Sequence, residues 1–146
     1  MEKLDKKLLE DENSIPSFGY HLIRNVLLQK ILGEEYESLL YWSGKSLARE
    51  YPLSSLDEFA DFFTKAGWGI LSLTKEGRQE WVFQLEGIER SLIEASSFRL
   101  EAGFLAEQVQ SQKGFITEAI ETKKKDKIVF EVKWDRSDKL HEENAG

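Results

Sequence analysis

Two histidines and no cysteine leave this 146-residue chain a short inventory for covalent chemistry. His21 follows Tyr20, and His141 lies among charged residues near the C-terminus. A hydrolytic triad needs a nucleophile, a base and a group that orients the base. A zinc centre needs three or four nitrogen, sulfur or carboxylate ligands at fixed spacing. Neither arrangement is evident, and His21 reads as a surface or hydrogen-bonded residue. The absence of cysteine removes thiol nucleophiles, disulfides, iron–sulfur clusters and cysteine-ligated zinc together. Glu101 and Glu107 are six residues apart on a predicted helix, about 600° of turn, so they lie on different faces. Glu118 and Glu121 fall on opposite faces of a predicted strand. Gly67-Trp68-Gly69 follows a helix and lacks the lysine of a phosphate loop. The expectation is a protein that is not an enzyme, with no catalytic residues, no metal and no cofactor.

Binding is better supplied. Aromatic residues make up 12% of the chain, and Tyr20, Tyr36, Tyr41, Trp42, Tyr51, Trp68, Trp81 and Trp134 exceed what one small core must hide. Tryptophan and tyrosine pair a large apolar body with one polar atom, which suits cores, pockets and interfaces alike. Small residues recur at helical spacing: Gly44 and Ala48 in one helix, Ala102, Gly103 and Ala106 in another. A glycine inside a helix costs about 1 kcal/mol relative to alanine. Two such helices therefore imply close backbone approach, first as packing within the core, second as a pocket floor or dimer seam. The candidate ligand-binding residues are Tyr41, Trp42, Gly44, Trp68, Trp81 and Phe104, placed between helices and sheet.

The elements that would position them follow from periodicity. Phe18–Leu32 carries apolar residues at helical spacing and stops at Gly33. Glu34–Tyr51 continues the period to Pro52. Ser54 and Ser55, with Asp57 and Glu58 behind them, form a capping box that opens a third helix ending at Ala66, with Gly67 as its left-handed cap. From Trp68 the period becomes two: Gly69–Thr74 and Glu80–Glu86 flank a glycine-containing turn. Glu89–Glu94 has room for a helical turn. Phe98–Gln112 is helical to Gly114, and Phe115–Glu121 with Lys127–Trp134 makes a second hairpin. The order ααα-ββ-α-ββ predicts an α+β fold, an antiparallel sheet with helices packed on one side. A single domain is expected over residues 15–134, between charged tails at 1–14 and 135–146.

With 27 acidic against 20 basic residues the formal charge is −7, so nucleic acid is excluded as a partner. No apolar run approaches the length of a membrane span or a secretory signal, which predicts a soluble, cytoplasmic protein.

Three stretches resemble the bacterial YslB-like family of unknown function: Tyr41-Trp42-Ser43-Gly44-Lys45-Ser46-Leu47-Ala48-Arg49-Glu50-Tyr51-Pro52-Leu53, Phe62–Gly69, and Leu100–Gln108. The likeness extends from about Phe18 to Trp134. More distantly the pattern is similar to vinyl-reductase-type domains and to TRAPP transport-particle subunits, through the Gly44 helix, the Gly67–Gly69 turn and the Ala102–Ala106 helix. That resemblance implies a ligand-binding or partner-docking module. Vinyl-reductase-type domains commonly carry cysteines before the last helix and in the terminal hairpin. Here Ser97 or Phe98, and Ile120 and Ile128, stand at those positions, and isoleucine ligates no metal. Covalent acylation on cysteine, as transport-particle subunits allow, is likewise excluded. Two functions are therefore expected of the chain. The first is a non-enzymatic module holding a small apolar or aromatic ligand; the second is a structural homodimer or adaptor docking a protein partner through an aromatic helix face.

Overall fold

The sheet is built from two hairpins whose second strands meet at its centre. In the computed structural model, which describes residues 3–10 and 16–139, β1 (Ile70–Glu76), β2 (Glu80–Glu86), β3 (Phe115–Lys123) and β4 (Ile128–Lys139) form one antiparallel sheet in the order β1-β2-β4-β3. The central pairing sets Trp81 opposite Val132, Phe83 opposite Phe130 and Leu85 opposite Ile128. Because side chains alternate along a strand, this register gathers Trp81, Phe83, Leu85, Ile128, Phe130, Val132 and Trp134 on one face, all buried. The opposite face is wet, with Lys133 and Glu80 paired across the strands at 3.7 Å and Ile70 and Ile120 exposed.

Helix α7 (Arg99–Lys113) covers the buried face against β3 and β4, and α5 (Leu56–Lys65) packs on β1. Nine consecutive residues of α7, Glu101–Val109, are buried. The helix ends at Gly114, whose φ of 78° is the left-handed cap that the sequence predicts. The capping box also forms: Ser55 Oγ accepts the Glu58 amide at 3.2 Å, while Glu58 Oε1 accepts the amide of Ser54 at 2.9 Å. Helix α6 (Arg90–Ala95) realises the predicted turn between the sheet halves.

Contacts divide the chain into two compact units, Met1–Tyr36 and Glu37–Gly146. The second unit holds the sheet, α5–α7 and all but the first residue of α4 (Tyr36–Glu50). In the first, residues expected as a charged tail include helix α1 (Lys3–Glu10). The predicted Phe18–Leu32 helix forms as α2 (Ser17–His21), a π-helical turn over Leu22–Leu27, and α3 (Leu28–Leu32), followed by a 3-10 turn over Gly33–Glu35. Within this unit Arg24, Asn25 and Tyr36 are buried. The Tyr36 hydroxyl donates to the Arg24 carbonyl at 2.8 Å, and Arg24 Nη1 donates to the Tyr20 hydroxyl at 2.7 Å. His21 is hydrogen-bonded, its Nδ1 2.9 Å from Asn25 Nδ2. His141 lies outside the described residues.

β4 runs five residues past Trp134, the expected end of the hairpin, into the stretch expected as a tail. Asp135–Lys139 shows no apolar alternation, so pairing continues there with nothing in the side-chain pattern to announce it.

Candidate binding site on α4

Helix α4 carries three of the six candidate residues and presents each to a different neighbour. Gly44 faces α7: a Cβ built on it would lie 2.1 Å from the Leu100 carbonyl oxygen and 2.8 Å from the Phe104 amide. Gly103 answers from α7, where a Cβ would stand 2.0 Å from the Tyr41 carbonyl oxygen. The two glycines are thus used for backbone contact within the chain, the first of the readings that their spacing left open.

Tyr41, one turn before Gly44, reaches past α7 to the sheet edge. Its hydroxyl accepts the Ala119 amide of β3 at 3.2 Å. The Arg99 guanidinium lies 4.1 Å from the centre of its ring and is itself paired with Glu121 at 2.9 Å. Burial raises the Tyr41 phenol above its usual range, against the lowering by the Ala119 amide and by the Arg99 charge.

Trp42, the next residue, is 62% exposed, with Leu39 one turn earlier exposed as well. The Lys45 ammonium stands 4.9 Å from the Tyr41 ring centre and 5.2 Å from that of Trp42. No carboxylate among the described residues approaches Lys45 within ion-pair distance. The outer side of α4 therefore offers an exposed indole, a leucine and a cation held between two aromatic faces. Such contacts attract the cation electrostatically by about 0.5–1 kcal/mol at exposed sites.

Trp68 and Phe104 come together elsewhere, in the interior. Phe104 stacks on Phe62 at 4.7 Å and meets Trp68 edge-on at 5.4 Å, while Phe63 closes on Trp68 at 5.0 Å. Trp81 belongs to a third place. It meets Trp134 edge-on at 6.0 Å, with the Lys113 ammonium 4.6 Å above its ring. The Trp81 Nε1 atom is buried without an acceptor among the described residues.

Sequence reasoning passed over Lys45 and Arg99, and weighed Glu121 only against Glu118. Lys45 was within reach of it, because i,i+3 and i,i+4 spacing from Trp42 and Tyr41 places it on their face. The Arg99–Glu121 pair joins a helix to a strand across 22 residues and has no local signal. Gln108 was also missed as a structural group. Its buried amide donates to the Tyr51 carbonyl at 2.8 Å and accepts the Leu53 amide at 3.1 Å, fixing the turn at Pro52 onto α7. Ile120 and Ile128 point to opposite faces of the sheet, one 59% exposed and the other fully buried. The two hairpin positions at which the resemblance places cysteines therefore do not converge. Among the described residues no group of three or more His, Asp or Glu side chains is placed to hold a metal ion.

No helix among the described residues is long and apolar enough to cross a membrane. The fold is similar to that of a vinyl-4-reductase family protein from Methanocaldococcus jannaschii, with a TM-score of 0.64 over 92% of this chain and 97% of that one at 22% identity. In sequence the chain is 45% identical over 133 residues to the uncharacterized protein YslB of Bacillus subtilis, covering 87% of this chain and 90% of the relative. Residues 17–133 match the model of a family described as protein of unknown function (DUF2507), and the chain belongs to that family.

Proposed function

We propose that the chain is a non-enzymatic docking module that holds a protein partner against the outer face of α4, with Trp42 as its anchor. The observation that carries this reading is the contrast among the four tryptophans. Trp68, Trp81 and Trp134 are 8%, 5% and 5% exposed, whereas Trp42 is 62% exposed. An indole left in water forgoes a large burial energy, and tryptophan is the residue most enriched among those that dominate binding. Lys45 supports a partner of one kind, since no carboxylate among the described residues comes within ion-pair distance of it and such a cation is met best by an acidic group beside an apolar pocket. The partner is therefore a protein surface with a carboxylate flanking a hydrophobic recess.

A second reading, a small apolar or aromatic ligand held between helices and sheet, is favoured by Trp81 Nε1, a buried donor without an acceptor among the described residues that a ligand acceptor would satisfy.

Photo-crosslinking from position 42, with position 131 on the wet sheet face as control, separates the two. The partner captured at 42 is purified, and its affinity measured for wild type, Trp42→Ala and Lys45→Glu. Docking predicts at least a tenfold loss for each variant, since an anchoring tryptophan is worth about 2 kcal/mol or more. A bound small molecule released on denaturation, with no effect of either substitution on partner affinity, would favour the ligand reading.

A further inference from the structure

The two edges of the sheet are finished differently. Alternate amides and carbonyls of an edge strand point away from its neighbour and pair with any strand laid beside them. On β3 the Ala119 amide is taken by the Tyr41 hydroxyl at 3.2 Å, and the Thr117 amide by Gln110 Oε1 at 3.1 Å. On β1, the opposite edge, no side chain among the described residues takes a backbone amide. A bulge between Leu73 and Lys75, with Lys75 paired to Glu80 at 2.9 Å, blunts the far end of β1. Ile70–Leu73 is left as an open run. The first unit contains no strand among its described residues and so supplies no partner to this ladder.

Helix α5 lies beside the open run, packed on β1. Its Phe62 faces α7, stacked on Phe104 at 4.7 Å, and its Phe59 lies on Phe83 of β2. At about 100° per residue, Ala60 and Thr64 stand roughly 160° round the helix from Phe62, on the flank over the free edge of β1. Half-buried Leu56 and Leu73 give this margin an apolar floor. Next around α5 come Asp57 and Asp61, one turn apart. Neither has a cation within ion-pair distance among the described residues. Like charges four residues apart on a helix repel, and a cation set between them relieves that.

We propose that β1 and this flank of α5 form a groove for an extended segment of a partner protein, added to the sheet as a fifth strand and basic at alternate positions. The backbone sets the form of the occupant, because an open ladder is completed by another extended backbone. The carboxylates set its charge. A lysine or arginine on the helix side lays its methylene stem over Ala60 and carries its charged head to Asp57 and Asp61. The open run spans roughly 13 Å at about 3.3 Å per residue, so the segment is short. This edge is a separate surface from the outer face of α4, and the inference does not rest on docking at Trp42.

A blocked hexapeptide alternating lysine and valine is the probe, with amide hydrogen exchange of the full chain as the readout. Bound peptide slows exchange about tenfold or more at alternate amides of Ile70–Leu73 and leaves Thr117 and Ala119 unchanged. Two N-methylated forms of the peptide, one methylated at odd and one at even positions, read the ladder directly. Only one set of amides faces β1, so one form loses binding and the other keeps it. Asp61→Lys weakens binding about fivefold, and a peptide with glutamate in place of lysine gives no protection. Trp42→Ala binds the peptide like wild type, so failure of this groove and failure of the α4 face read separately. No protection at Ile70–Leu73 with millimolar peptide, or equal binding by both N-methylated forms, would overturn the inference. So would protection of this run that grows with protein concentration alone, which assigns the edge to a second copy.

Discussion

Gly44 and Gly103 face each other's helix across the α4–α7 contact, each occupying the space against the backbone one turn from the other's neighbour. Gly44 lies on the Leu100 carbonyl, three residues before Gly103, and Gly103 lies on the Tyr41 carbonyl, three residues before Gly44. The reciprocity brings the two backbones together without side chains between them. It places Tyr41 where its hydroxyl reaches β3, so that hydrogen bond depends on two residues without side chains.

A methyl group at either glycine has nowhere to go, because the obstacle is backbone on both sides. Gly44→Ala is expected to cost about 3 kcal/mol or more, since a contact of this kind is relieved only by parting the helices. Gly103→Ala should cost a similar amount. Once the helices have separated the second methyl meets less resistance, so the double variant loses less than the sum. Urea unfolding monitored by circular dichroism measures all three.

Gln108 is the second packing determinant. Replacing it by leucine keeps the volume but leaves the Tyr51 carbonyl and the Leu53 amide without their partner. Unmade hydrogen bonds at buried groups cost about 1–3 kcal/mol each, and the partial exposure of this turn lets water recover some of that. A net loss of about 2 kcal/mol is expected for Gln108→Leu. Gln112→Ala, which removes one exposed bond of 3.2 Å to the Leu53 carbonyl, should lose less than about 0.5 kcal/mol. Equal losses would mean that the Pro52 turn is held by something other than the Gln108 amide.

The elements that sequence reading placed are those with a local cause: the capping box at Ser55, the glycine stops at Gly33, Gly67 and Gly114, and the alternation of β2 and β4. The close approach of Gly44 was legible too, because a helix tolerates glycine only for a reason. What escaped was set by distant partners. The π turn is a change of winding that no residue type announces, and the end of β4 is held by backbone pairing. The candidate residues were judged by type, which groups Trp42 with Trp68 and Trp81. Only the fold separates an indole in water from one packed on Phe104 and one packed on Trp134.

The raised Tyr41 phenol has a consequence at alkaline pH. A group that binds its proton more tightly folded than unfolded contributes stability that is fully present below its unfolded value, 10.0 for tyrosine, and lost as pH rises through the folded value. Wild type should therefore lose stability more steeply than Tyr41→Phe as pH climbs past 10. The ultraviolet difference spectrum between the two proteins should show one phenol ionising above the ordinary tyrosine range. Parallel stability curves across that window would assign the alkaline loss to other groups.

Tyr41 also closes an edge. β3 is the last strand of the sheet, so alternate amides of its backbone point away from β4 and would pair with any strand that approached. Two of them are taken by side chains: the Ala119 amide by the Tyr41 hydroxyl at 3.2 Å, and the Thr117 amide by Gln110 Oε1 at 3.1 Å. Both caps come from helices, so the edge is blocked only while α4 and α7 are docked. Amide hydrogen exchange tests this position by position. Tyr41→Phe removes the acceptor and keeps the ring under Arg99, and a lost bond of about 1 kcal/mol should speed exchange at Ala119 roughly fivefold while Thr117 stays protected. Gln110→Ala should do the reverse. The double variant, with both amides open, should associate at concentrations where each single variant does not, and unchanged exchange at Ala119 in Tyr41→Phe would show that the helix packing alone shields the edge.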